Sequence, residues 1–272
     1  MSMSAAVGTP EGAGVGGAVL WFCMRENILL PAAAMLLAAS VAAPGVRTSW
    51  RDIESRIQYG YYTEDAAALR SLRGLIAADQ SRDRLHGYYA ALLAWREAQV
   101  AAQAASAAQA AAAGDLAQRC VTEADKVLEA DAAFADLLAL RAACLATPLG
   151  PGGSGISAHR ARKDIERALK AAPHDPRVLL VDAMNDYQLA PPDGNKERAL
   201  TKLRRAVAAF EAERAGLERL PGWGAAESYL FLAEDLLDHA DPVAARDALE
   251  HALLIAPEFG QARRLMASII SS

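Results

Sequence analysis

The chain has 272 residues and a formal net charge of −5, so it is long enough for one large domain or two small ones. A weakly acidic chain excludes the basic surface by which proteins bind nucleic acid or anionic membranes. Hydrophobic residues make up 53% of the chain and aromatic residues only 6%, and much of the hydrophobic share is alanine. Because alanine is the best helix former and no run alternates as a strand does, the composition predicts an all-α protein.

The first predicted element is an export signal over residues 24–42. Arg25 gives a short polar start, residues 28–39 form an apolar run, and the three residues that end at Ala42 supply the small-x-small pattern of a cleavage site. These are the three parts of a secretory signal peptide. We therefore predict an exported protein that is cleaved after Ala42.

Two alternatives remain open at this end of the chain. The apolar run is shorter than the roughly 20 residues of a membrane span, but an uncleaved segment 24–43 would anchor the protein in the inner membrane. Residues 1–23 are rich in Gly and Ala and show no pattern. They are interpreted as a start assigned upstream of the true one at Met24, or as a disordered extension.

The clearest internal unit lies near the end of the chain and predicts two antiparallel helices. Its defining positions are Tyr229, Leu232, Ala233, Leu236, Ala245, Leu249, Ala252 and Pro257, and Asp241-Pro242 breaks the pattern in the middle. Small residues let two such helices approach closely, and the open apolar face of the pair requires a stacked neighbour. This unit resembles a tetratricopeptide repeat, and a third helix over about 258–269 is predicted to cap the stack.

Weaker copies of the unit occur upstream. Ala161, Ala168 and Pro173 match the second helix of a repeat and its closing proline. About four and a half helical hairpins are predicted between residues 47 and 270, as a single domain. The resemblance implies an α-solenoid, in which antiparallel hairpins stack as a right-handed superhelix.

The first predicted unit is the least regular. Ala68, Leu72 and Leu75 mark the expected buried face of its helix. The Ala/Gln-rich stretch 98–113 is predicted to lengthen one helix, which Gly114 ends.

The stretch "GNKERALTKLRRAVAAF", followed later by "PGWGAAESYLFLAEDL", resembles a group of exported bacterial tetratricopeptide proteins of unassigned role. The resemblance covers residues 85–270 loosely and residues 160–265 better. It implies the fold and a periplasmic location, and it implies no activity.

Two cysteines, Cys120 and Cys144, remain after the predicted cleavage. They fall on successive predicted helices, so they can form a disulfide in an oxidising compartment. Both also lie among alanines, where a buried free thiol is common. The sequence leaves both states open, because it does not give the Cα spacing of roughly 4.4–6.8 Å that a disulfide requires.

No pattern in the sequence indicates catalysis, a metal or a cofactor. None of the five histidines pairs with another at helical spacing, and a metal site needs three or four converging ligands. No phosphate-binding loop or nucleophile motif occurs. We therefore predict a protein that is not an enzyme, with no catalytic residue, no metal ligand and no cofactor.

Five aromatic residues cluster in the first third of the chain: Tyr61, Tyr62, Tyr88, Tyr89 and Trp95. They are interpreted as packing between the first two hairpins, with an aromatic patch on the binding face as the alternative. Trp223, which lies between two glycines, is interpreted as a side chain that secures the entry to the last repeat.

In the family that the chain resembles, ligands lie along the inner face formed by the first helix of each hairpin. Counting one and four residues along each predicted first helix places eight residues on this face. They are Arg84, Arg177, Leu180, Met184, Tyr187, Glu227, Leu230 and Glu234. The face would then be basic and apolar in the middle and acidic at its C-terminal end.

The sequence therefore predicts a scaffold of the bacterial cell envelope that binds an unidentified protein or peptide in its concave groove. One alternative is a membrane-tethered assembly factor held by residues 24–43. Another is a small-ligand-binding partner of a transport system. No nucleic-acid partner is expected, and the sequence indicates no oligomeric state.

Overall fold

The computed structural model describes residues 49–79, 83–103, 107–147, 155–189, 194–214 and 219–271, and for residues 107–111 and 155–156 it describes the helical backbone alone. These residues contain eleven α-helices and no β-strand, which confirms the all-α prediction for this part of the chain. The helices are α1 (Trp50–Tyr62), α2 (Ala66–Ala78), α3 (Arg84–Gln103), α4 (Ala107–Leu128), α5 (Ala135–Ala146), α6 (Gly155–Ala171), α7 (Pro176–Gln188), α8 (Lys196–Arg214), α9 (Ala225–Asp238), α10 (Pro242–Ile255) and α11 (Gly260–Ser271). They belong to one compact unit over residues 47–272.

Each helix packs against the next one along the chain, and the odd-numbered helices α1, α3, α5, α7 and α9 also pack on one another. The hairpins are antiparallel, as ion pairs between α7 and α8 illustrate. Arg177 contacts Glu213, near the end of α8, whereas Asp186 contacts Arg198, near its start. The helices α1, α3, α5, α7 and α9 therefore run in one direction, and their C-terminal turns lie toward the same end of the molecule.

Short polar residues set several helix starts. The side chains of Ser49, Asp65, Asp175 and Asp241 accept hydrogen bonds from backbone N–H groups in the first turns of α1, α2, α7 and α10. Such caps satisfy donors that have no partner within the helix. α7 and α10 also begin with proline, which suits the first turn because its missing N–H would have no helical partner there.

The residues that define the predicted repeats lie where the helices meet. The alanines have no exposed surface, and they are Ala161, Ala168, Ala233, Ala245 and Ala252. The larger side chains around them are also buried, and they are Tyr229, Leu232, Leu236 and Leu249. Pro173 and Pro257 lie in exposed turns after α6 and α10. Small side chains at the contacts thus let the helices approach closely, as the sequence pattern requires.

The number of hairpins differs from the prediction. The described residues form five hairpins and the final helix α11, where about four and a half hairpins were predicted. The missed element is α1, in which Ile53 and Ile57 are buried among charged and polar neighbours. Its apolar face is narrow, so the sequence offered little periodic signal for it.

Two details of the first hairpins were also predicted wrongly. Gly114 lies inside α4 rather than ending a helix, because an Ala-rich run carries no local signal of where it folds back. The close approach of α3 to α4 requires a glycine at Gly87, because a β-carbon there would lie only 2.2 Å from a methyl carbon of Val127. On α2, Leu72 is buried as expected, but its buried neighbours are Leu69 and Ile76, and Leu75 is 42% exposed.

A disulfide joins Cys120 of α4 to Cys144 of α5, with the two Cα atoms 6.2 Å apart. It links the second helix of one hairpin to the first helix of the next. Residues 1–23 and the predicted export segment 24–42 lie outside the described residues. Among the helices that are described, none combines the length and apolar content that a membrane span requires.

Candidate functional site

The main candidate site is a cleft of about 210 Å³ on the face formed by the odd-numbered helices. We call it the inner cleft. Every odd-numbered helix from α1 to α11 contributes to its lining, with Thr147 following directly on α5. The lining residues are Tyr61, Trp95, Gln99, Ala102, Gln103, Ala143, Thr147, Met184, Gln188, Leu230, Phe231, Glu234 and Gln261. The cleft therefore results from the stacking order of the hairpins rather than from a single loop.

The inner cleft lies where four helices reach their C-terminal ends, and the first turn of α11, which contains Gln261, also borders it. Gln103 and Gln188 are the last residues of α3 and α7, Thr147 caps the end of α5, and Tyr61 lies in the last turn of α1. The final carbonyl groups of a helix have no helical partner, and they give that end a partial negative charge. The backbone thus favours positive charge at the cleft, because four C-terminal helix ends outnumber the one N-terminal end, that of α11.

Glu234 is the only acidic residue among the described residues that line the cleft, and no Lys, Arg or His lines it. The side chain is partly buried, and within the described part of the chain no hydrogen bond or ion pair reaches its carboxylate. Burial, with a contribution from the nearby charge of Asp238, raises the pKa of Glu234 to about 7. The cleft therefore holds a carboxyl group whose negative charge is not compensated.

Two turns earlier on α9, Glu227 has the opposite environment. Its carboxylate forms a buried ion pair with Arg96 of α3. It also accepts hydrogen bonds from Gln58 Nε2 at 3.0 Å and from the Tyr62 hydroxyl at 3.0 Å, both on α1. These contacts join the first hairpin to the last one through the centre of the molecule.

Aromatic rings enclose the charged pair at the centre. The guanidinium carbon of Arg96 lies 4.0 Å from the ring centre of Tyr61, 4.4 Å from that of Trp95 and 5.1 Å from that of Trp223. Trp223 also donates a hydrogen bond of 2.6 Å from its ring nitrogen to the Tyr88 hydroxyl. Cation–π contacts of this kind stabilise a desolvated guanidinium. The centre is thus a fully packed structural network.

A second buried network lies beside it. Glu54 of α1 accepts hydrogen bonds from the Tyr89 hydroxyl at 2.5 Å and from the Gly222 backbone at 2.7 Å. Burial raises the pKa of Glu54 even though both hydrogen bonds act in the opposite direction. The segment before α9 ends at Gly224, which has a φ of +113° and no room for a β-carbon next to Phe210. Together these contacts fix the chain at the entry to α9. The sequence predicts this role for Trp223.

The structure brings three of the eight predicted groove residues into the inner cleft: Met184, Leu230 and Glu234. Arg177, Leu180 and Glu227 were expected on an open face, but all three are buried. Arg177 pairs with Glu213, as Glu227 pairs with Arg96. The prediction failed for them because counting along one helix ignores the helices that cover it.

The last two predicted groove residues lie outside the cleft. Arg84 is exposed at the start of α3, where it pairs with Asp131 and stacks on Phe134. Tyr187 donates a hydrogen bond of 3.1 Å to Asp238. Arg84 is far from the C-terminal ends of the odd-numbered helices because it begins one of them.

Sequence reasoning also missed several residues of the cleft. Gln99, Gln103, Gln188 and Gln261 line it, but an isolated glutamine on a helix gives no signal of a site. The aromatic cluster of the first third is mainly core, as its packing interpretation expected. Tyr61 and Trp95 nevertheless serve both roles, since they are buried and form part of the cleft wall.

A larger cavity of about 430 Å³ lies between α2, α3 and α4. Its wall includes the ion pair of Arg73 with Glu97 and the exposed side chain of Arg70. On the α4 side it is lined by Ala112, Asp115 and Leu116. This cavity belongs to the first two hairpins, whereas the inner cleft is lined by helices from all five hairpins and by α11.

Among the described residues, no group of three or more His, Cys, Asp and Glu side chains is placed to hold a metal ion. His86 and His239 contact backbone carbonyl oxygens instead. No protein-family model matches the chain, and no curated protein matches it either. The functional proposal therefore depends on the geometry of the inner cleft.

Proposed function

We propose that the chain is a non-enzymatic scaffold of the tetratricopeptide type, which binds a partner protein at the inner cleft. The observation that carries this proposal is the composition of the cleft: six stacked helices contribute to it, and its floor is apolar with a rim of amides. Proteins built from stacked helical pairs use the extended surface of the stack for binding. The ionisable groups among the described lining residues are Glu234 and Tyr61.

The occupied centre of the molecule limits how a partner can bind. At the centre, Arg96, Glu227 and Trp223 are buried, so they offer no open surface to a partner. A volume of about 210 Å³ is also smaller than the roughly 300–1,000 Å³ of typical small-molecule sites. These two facts favour a partner that inserts one side chain into the cleft while the surrounding surfaces meet.

We also propose that the protein is exported to the bacterial cell envelope, in agreement with the signal pattern at residues 24–42. The disulfide between Cys120 and Cys144 supports this location. Disulfides persist in oxidising compartments such as the periplasm and are rare in the cytosol. Mass spectrometry of the protein purified from cells with free thiols blocked would test this, because full labelling of both cysteines would contradict it.

Site-specific photo-crosslinking in the native host tests the binding proposal. A photoreactive amino acid at Gln188 or Gln103, both at the cleft, is expected to capture one partner protein. The same residue at Gln118, on the exposed side of α4, is the matched control. The captured partner is then purified and its affinity for the full chain measured.

The affinity measurement uses two matched variants. Gln188→Trp is expected to weaken partner binding at least tenfold because it fills the mouth of the cleft. Gln118→Trp is expected to leave it unchanged, because it adds the same bulk on the opposite surface. Equal crosslinking from both surfaces, or equal affinity of the two variants, would overturn the proposed binding face.

A further inference from the structure

We infer that the group bound in the inner cleft is a basic side chain, arginine or lysine, which the partner protein inserts beside Glu234. This inference rests on the proposed function of the cleft as a partner-binding site. It is carried by the uncompensated carboxyl group, the helix ends around it and the shape of the lining. Each of these features favours positive charge at the same place.

The charge of the lining favours a basic group in the cleft. Glu234 is the one acidic side chain among the described lining residues, and no basic side chain accompanies it. Two cations of the same region are paired with other carboxylates: Arg96 pairs with Glu227, and Lys196 contacts Asp238 at 3.0 Å. A bound guanidinium or ammonium group would supply the missing counter-charge, and such charge-assisted hydrogen bonds are among the strongest in proteins.

The backbone around the cleft also favours a basic group. The C-terminal ends of α3, α5 and α7 meet at the cleft, and each of them carries a partial negative charge. The first turn of α11, which contains Gln261, contributes one partial positive charge, so the negative helix ends outnumber it. An anionic ligand would be repelled by these ends and by Glu234 together. A cation gains from both, so the choice of sign does not depend on one side chain.

The shape of the cleft also favours a long basic side chain. The floor of the cleft contains Trp95, Met184, Leu230 and Phe231, which offer apolar contacts to a methylene chain. Long basic side chains bury such a stem while their charged end remains in a polar setting. The amide groups of Gln103 and Gln188 lie at the rim, where they can accept hydrogen bonds from the charged end. The cleft volume fits one such side chain.

The test is an NMR titration of the full chain with four small probes. These are N-acetyl-arginine methylamide, the lysine equivalent, the uncharged citrulline equivalent and the glutamate equivalent. We expect one of the basic probes to bind at least tenfold more tightly than citrulline, and glutamate to show no binding. Equal binding of arginine and citrulline, or no binding of either basic probe, would overturn the inference.

Variants locate the bound probe. Glu234→Gln keeps the size of the side chain, and it is expected to reduce affinity for the basic probe at least tenfold. The matched control is Glu129→Gln, at an exposed glutamate in the turn after α4, and it is expected to have no effect. An equal loss in both variants, or no loss in either, would also overturn the inference.

The two proposals fail separately. If the partner binds at the cleft with equal affinity to wild type and Glu234→Gln, the basic side chain is wrong while the proposed function stands. If arginine binds beside Glu234 but the partner crosslinks only from outer positions, the cleft recognises a basic group and the proposed function is wrong.

Discussion

Two glutamates on one helix have opposite environments. Glu227 and Glu234 lie seven residues apart on α9, which places them two turns apart on the same side. Glu227 is covered by α1 and α3, and it makes an ion pair and two hydrogen bonds. Glu234 faces amides, apolar groups and the acidic Asp238. Glu227 thus has a structural role, whereas the carboxylate of Glu234 remains without a counter-charge.

This difference follows from which helices reach each position. α1 lies across the first half of α9, and its Gln58 and Tyr62 provide the polar groups that Glu227 requires. Near Glu234 the helices α1, α3, α5 and α7 reach their C-terminal ends, so a cleft remains. A buried carboxylate with partners contributes to structural specificity, whereas one without partners lowers stability until a cation binds.

The largest expected effect is that of Glu227→Gln. The substitution leaves the charge of Arg96 buried and unpaired among aromatic rings, and breaking a buried ion pair in this way costs about 3–5 kcal/mol. We expect a loss of this size in the free energy of unfolding, measured by urea denaturation. The matched variant Glu234→Gln is expected to show no loss, because it removes no ion pair.

A double variant tests whether the expected loss of stability comes from the unpaired charge of Arg96. Arg96→Met combined with Glu227→Gln removes both charges, so we expect it to be more stable than Glu227→Gln alone. If Glu227→Gln unfolds at the same urea concentration as the wild type, the central network is not a structural support, and the contrast between the two glutamates is lost.

The second largest effect is expected for the disulfide. Cys120→Ala with Cys144→Ala opens a loop of 24 residues, and the loss of chain constraint in the unfolded state lowers stability by about 3 kcal/mol. Ala143 and Thr147, near Cys144 on α5, line the inner cleft. The variant should therefore weaken binding of the arginine probe as well.

The urea midpoint and the probe affinity are measured on the same samples, with and without a reducing agent. Reducing the wild type is expected to reproduce both losses, and the cysteine-free variant should then show no further change. Unchanged probe affinity after reduction would show that the α5 wall of the cleft does not depend on the disulfide.

The sequence predicts contacts between residues that are close along the chain better than contacts between residues that are far apart along it. Alanines such as Ala233 and Ala252 recur at helical spacing within one hairpin, so the helices and their contacts could be predicted. The partner of Glu227 could not be, because Arg96 is 131 residues away. Helical spacing correctly places Glu227 and Glu234 on one face of α9. It gives no information about α1, a helix that the sequence analysis did not predict.

The smallest expected effect concerns the pH dependence of Glu234. Its pKa is raised to about 7 in the folded state from an ordinary value of 4.5. Between these values the folded state holds the proton more tightly than the unfolded state, so its stability falls as the pH rises through this window. Below about pH 4.5 the penalty is absent, and above about pH 7 it is fully present.

Glu234→Gln removes this penalty. We expect the variant to be more stable than the wild type at pH 8, by roughly 1–3 kcal/mol, and equal to it at pH 4.5. Urea denaturation at both pH values gives the difference directly, and Glu129→Gln controls for the loss of one negative charge. An arginine probe should then reduce the advantage of the variant at pH 8, because it binds the wild type more tightly and stabilises it more. If the variant were equally or less stable than the wild type at pH 8, the Glu234 carboxylate would have to be compensated within the protein, and the contrast with Glu227 would disappear.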